Sequence, residues 1–103
     1  MLADEPLVIR LRKAVVKSVG IFTPQGTECV IVAYPDISAN TEIAWAVSVD
    51  IRLPEGDVFN HTVNLTERQA TSMISAAKHV GLTVSKAIRD YRARVHGQET
   101  KSV

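Results

Sequence analysis

Between Ile43 and Leu53 the chain alternates without a break. Ile43, Trp45, Val47, Val49, Ile51 and Leu53 fall on one side, and Ala44, Ala46, Ser48, Asp50 and Arg52 on the other. Successive side chains of a strand point to opposite faces, so this pattern predicts a half-buried strand that needs a second layer on one face only. Val58 to Leu65 alternates again, with Phe59, His61, Val63 and Leu65 on one side and Val58, Asn60, Thr62 and Asn64 on the other. Pro54-Glu55-Gly56-Asp57 separates the two runs and has turn composition, so they should pair as a hairpin. Thr27 to Tyr34 carries Val30, Ile31, Val32 and Ala33 in a row. Such a run has no polar face and reads as a central strand. Thr23-Pro24-Gln25-Gly26 reads as a turn, and Pro35 to Thr41 as a loop. Leu7 to Phe22 is ambiguous. Val8, Ile9, Val15, Val16, Val19 and Ile21 favour a strand, while Arg10, Lys13 and Lys17 suit one face of a helix. The expectation is a strand, bent or broken near Ala14.

After Leu65 the period changes from two to 3.6. Thr66 is a suitable N-cap, and Gln69 three residues on completes a capping-box pattern. Ala70, Met73, Ile74, Ala77 and Val80 form an apolar stripe at helical spacing. Gly81 stands where a helix would end in the left-handed region. Thr83 can cap a second helix whose inner face is Val84, Ala87, Ile88, Tyr91 and Val95. The predicted fold is therefore α+β, an antiparallel sheet of about four strands followed by two C-terminal helices. It occupies residues 1–97 as one domain, with 98–103 as a flexible tail.

At 103 residues the core is modest, and dimerisation would add to its stability. The longest apolar runs are too short to span a bilayer, and the acidic start MLADEPLVIR lacks the order of a signal peptide. A single cysteine, Cys29, excludes an internal disulfide. A cytoplasmic protein without membrane contact is expected. Cys29 opens an apolar strand, where an inert buried thiol is the usual finding. His61, His79 and His96 show no ligand spacing. No catalysis, no cofactor and no metal is therefore expected. Net charge is +1, unevenly divided. Residues 1–59 hold five basic and eight acidic side chains, whereas 60–103 hold seven basic and three acidic. A basic end of this kind suits an anionic partner.

The segment NHTVNLTERQATSMISAAKHVGLTVSKAIRDYRARV, from Asn60 to Val95, resembles the ribbon-helix-helix family of DNA-binding proteins over residues 58–96. The matching features are the strand Thr62 to Leu65, the helix start at Thr66, the Gly81-Leu82-Thr83 turn, and Ser85-Lys86-Ala87-Ile88-Arg89 at the head of the second helix. The resemblance implies a homodimer that places paired strands in the major groove of double-stranded DNA. The outward residues Asn60, Thr62 and Asn64 would read bases. Thr83 and Ser85 would hold a phosphate at a helix N-terminus, with Lys86 beside them. Arg68 and Lys78 would add contacts to the anionic backbone, and Arg89 is a further DNA-binding candidate. The hairpin with Ile43 to Leu53 leaves open whether this strand pairs within or between chains. The alternative function is a protein-binding inhibitor or adaptor that acts through its sheet edge or its basic helix face.

Overall fold

The computed structural model describes residues 6–35 and 43–101, with side chains described for 6–35 and 44–96. The expected loop at residues 36–41 lies outside them. In chain order the elements are α1 (Leu7–Phe22), β1 (Glu28–Pro35), β2 (Ile43–Arg52), β3 (Val58–Thr66), α2 (Glu67–Ala70) and α3 (Met73–Lys101). The class is α+β, with three strands where four were expected.

The missing strand is α1. Its β-branched residues do not prevent helix formation, because Leu11, Val15, Ser18 and Val19 fall on one buried face. Arg10, Lys13 and Lys17, at i, i+3 and i+7, remain exposed. Burying a stripe of period 3.6 outweighs propensities that differ by only tenths of a kcal/mol per residue. At the far end Thr23 donates its hydroxyl to the Val19 carbonyl at 2.8 Å, and its backbone is extended, so the helix stops there.

The sheet is an antiparallel meander in the order β1-β2-β3. Ile31 stands opposite Val49 and Val49 opposite His61, while Val32 stands opposite Ser48 and Ser48 opposite Thr62. The turn glycines Gly26 and Gly56 take φ of 90° and 102°, the permissive conformation expected of turn glycines. β2 is central, and its Val47, Val49 and Ile51 are fully buried. They pack with Leu11, Val15 and Val19 of α1 and Val80, Val84 and Ile88 of α3.

Thr66 caps α2 with a complete capping box. Its hydroxyl accepts from the Gln69 N–H at 3.1 Å, and the Gln69 side-chain oxygen accepts from the Thr66 N–H at 2.9 Å. Thr66→Ala is expected to lose about 1 kcal/mol in chemical denaturation, the usual worth of such a cap. The helix lasts one turn. Ser72 then accepts from the Ser75 N–H, and α3 starts.

From Met73 the helix is continuous through Gly81 to Lys101. The expected second helix, its N-terminus at Thr83 and its end near Gly97 are therefore corrected. Gly81 does not adopt positive φ. It is buried against α1, where a Cβ atom would lie 2.5 Å from Ser18 Oγ, 2.7 Å from Phe22 Cδ2 and 3.2 Å from the Ser18 carbonyl oxygen. Glycine serves close helix approach here rather than a turn.

α1 returns along β1, and α3 returns along β3, where Tyr91 stacks on Phe59 with ring centres 4.4 Å apart. Arg92 forks onto Glu55 of the β2–β3 turn through two bonds of 2.9 and 2.8 Å. Both helices thus pack into the one core on the inward face of the sheet. The described structure is only 18 Å thick, and its radius of gyration of 15.5 Å exceeds the roughly 13 Å typical of this length. The other face of the sheet carries no element among the described residues.

Candidate nucleic-acid interface

The residues expected to read DNA separate into two groups on opposite layers. Asn60, Thr62 and Asn64 point outward from β3 on the bare face and are exposed. Asn60 and Thr62 do not stand free there. The Asn60 amide donates to Ser48 Oγ at 2.9 Å and to Asp50 Oδ1 at 2.7 Å, and the Thr62 hydroxyl donates to Asn60 Oδ1 at 3.3 Å. Asp50 sets a carboxylate beside this row, where it would oppose an approaching phosphate.

The helical half is not assembled as an anion site. Thr83 lies inside α3 and donates its hydroxyl to the His79 carbonyl at 2.7 Å. Ser85 is half-buried one residue before Lys86. With no helix terminus at Thr83, neither residue has free backbone N–H groups to offer, which corrects the expected phosphate site. Lys86 pairs with Asp90 at 2.8 Å, and the bonded ammonium holds the Asp90 carboxyl below its ordinary range. Arg89 is exposed on α3, and Arg68 is exposed on α2. β3 pairs along its length with β2 of its own chain, from Val58 to Thr66.

What the structure brings together instead is a layer of cations. Over 7–22 and 73–96, the two long helices carry nine basic side chains, and Asp90 is the one acidic residue. Arg10, Lys13 and Lys17 share one stripe of α1. Lys78, Lys86 and Arg89 share one stripe of α3, at helical offsets of 8 and 11 residues. Lys17 and Lys78 stand on the two sides of a shallow groove between the helices. Arg10, Lys17, Lys78 and Arg89 have no ion pair or hydrogen bond among the described residues. The groove lining is largely apolar, with Ile21 and Ile74 exposed to 70% and 82%. The α1 cations were legible in the sequence as an i, i+3, i+7 series. They acquire their place only once α1 is a helix lying beside α3.

Two cations outside this stripe do structural work. Arg12 donates its Nε–H to the Ile31 carbonyl at 2.8 Å, over the free edge of β1. Arg92 holds the Glu55 carboxyl below its ordinary range by hydrogen bonding, so this clamp persists at neutral pH and is lost only as pH falls through the lowered value. Burial pushes the Cys29 thiol up, away from the reactive thiolate. Among the described residues no group of three His, Cys, Asp or Glu side chains could hold a metal ion. No helix among them is long and apolar enough to cross a membrane. No protein family, curated protein or solved structure matches this chain.

Proposed function

We propose that this is a non-catalytic, cytoplasmic protein that binds duplex DNA through the phosphate backbone, using the outer surface of α1 and α3. The observation that carries the reading is the segregation of charge: nine cations against one carboxylate over residues 7–22 and 73–96 of the two helices. Cations at helical spacing, on two helices roughly 8–10 Å apart, can contact phosphates on both sides of a groove. Contacts of this kind position a protein on a duplex without reading sequence. The outward row of β3 has no part in this interface.

The test is binding to a labelled random-sequence duplex by fluorescence anisotropy across a salt series. With about four phosphates neutralised, affinity should fall roughly 100-fold between 50 and 200 mM salt. No binding at about 50 mM salt, where phosphate contacts are strong, would exclude the reading.

A second reading rests on the apolar lining of the groove. Exposed Ile21 and Ile74 contribute nothing to phosphate contacts and suit a protein partner instead, with Lys17 and Lys78 facing its acidic rim. Failure of duplex binding would leave this adaptor reading.

A further inference from the structure

The bare face of the sheet divides lengthwise. On β3 the outward residues Asn60, Thr62 and Asn64 are polar, as a solvated sheet face should be, and Val58 at the start of the strand is the apolar exception. On β1 they are Val30, Val32 and Tyr34, exposed to 62%, 52% and 46%. The inward residues of β1 are apolar as well, so beyond Glu28 at its start this edge strand has no polar side. An unprotected apolar edge strand invites pairing with another strand. Here Arg12 occupies the Ile31 carbonyl on that edge and obstructs strand addition. The exposed apolar surface is therefore available through its face rather than its edge.

We propose that this face docks on the same face of a second copy of the chain, forming a two-fold back-to-back dimer. The argument is self-complementarity, and the register decides it. A two-fold axis across the strands at the level of Ile31, Val49 and His61 lays β1 on the partner's β1, running oppositely. Val30 then faces the partner's Val32, Glu28 faces the partner's Tyr34, and Asp50 faces the partner's Ser48. Carboxylates meet hydroxyl donors, valines meet valines, and no like charges oppose one another. The other in-plane two-fold, along the strands, would lay Asp50 on the partner's Asp50 and Val32 on the partner's Thr62. That arrangement is disfavoured by charge and by polarity. The basic helix layers cannot supply an equivalent self-contact, because they repel each other.

Size sets the strength. Three strands at about 4.8 Å spacing and eight residues at about 3.4 Å cover roughly 400 Å², half of what a standard interface supplies per partner. The dimer is therefore weak and concentration-dependent. Asp50, at the centre of the face with no cation opposite, limits its affinity. In the dimer the two basic layers lie on opposite outer surfaces.

The test is sedimentation equilibrium of the full chain, without nucleic acid, up to about 500 µM, a range that detects weak association. The expected result is reversible monomer–dimer exchange. Val32→Asp should weaken it at least tenfold, and Asp50→Asn should tighten it, with circular dichroism unchanged in both. A monomer throughout the range would overturn the proposal, as would a dimer indifferent to Val32→Asp. A dimer that Asp50→Asn fails to tighten would overturn it too, because Asp50 would then lie outside the contact. None of these outcomes depends on whether the helix layer binds DNA.

Discussion

Gly81→Ala is expected to destabilise the fold by about 1 kcal/mol, although alanine is the better helix former by about the same amount. The sign follows from the α1–α3 contact. A methyl group at this position would lie 2.5 Å from Ser18 Oγ and 2.7 Å from the Phe22 ring. The Phe22 ring can swing aside, but the Ser18 carbonyl, 3.2 Å away, belongs to the α1 backbone. α1 is held by Leu11, Val15 and Val19 in the core, so moving it loosens packing elsewhere. Overpacking of this kind costs about 1–3 kcal/mol and cancels or exceeds the gain in propensity. Gly81→Leu should cost at least about 3 kcal/mol, a large share of a typical domain's stability. Gly20 provides the control. It lies within α1, and a Cβ there meets nothing within 4 Å, so Gly20→Ala should be stabilising. Urea unfolding with an unchanged slope measures all three. Ser18 should couple to Gly81. Its hydroxyl is buried without a hydrogen-bond partner among the described residues and is the nearest obstacle. Ser18→Ala should therefore be neutral or stabilising alone and should reduce the cost of Gly81→Ala. A stabilising Gly81→Ala would mean that the two helices are farther apart than described.

Reversing charge across the inter-helix groove, with Lys17→Glu and Lys78→Glu together, is expected to weaken duplex binding by about 100-fold at low salt. Each lysine lost as a phosphate contact should also reduce the magnitude of the salt slope by about one unit. Both side chains are exposed and without partners among the described residues, so stability should change by no more than about 0.5 kcal/mol per site. Lys86→Ala should have a smaller effect, because Lys86 is already engaged by Asp90. Asn64→Ala on the bare sheet face is the discriminating control. Backbone binding through the helices predicts no change, whereas base reading by β3 predicts loss of sequence preference. Loss of binding in Asn64→Ala, with the double charge reversal harmless, would return the interface to the sheet.

The sequence by itself determined the hairpin of β2 and β3, the turns at Gly26 and Gly56 and the capping box at Thr66. Each rests on neighbours in the chain: alternation over Ile43 to Leu53, a glycine free to take positive φ, and two side chains three residues apart. Local chemistry of this range is complete in a short window of sequence. The identity of α1 was decided by tertiary structure. Its β-branched residues argued for a strand, and its stripe Leu11, Val15, Ser18 and Val19 acquires weight only when a sheet is present to bury it. Gly81 shows the same dependence. A glycine flanked by helical patterns reads as a terminus, and only Ser18 and Phe22, some sixty residues away in the chain, make it a point of close packing instead. The candidate interface follows from both. Arg10, Lys13 and Lys17 belong to the acidic half of the sequence, yet the structure sets them beside Lys78 and Arg89. Charge counted along a chain averages over surfaces that folding separates, and folding joined these two stripes because their opposite faces share one core.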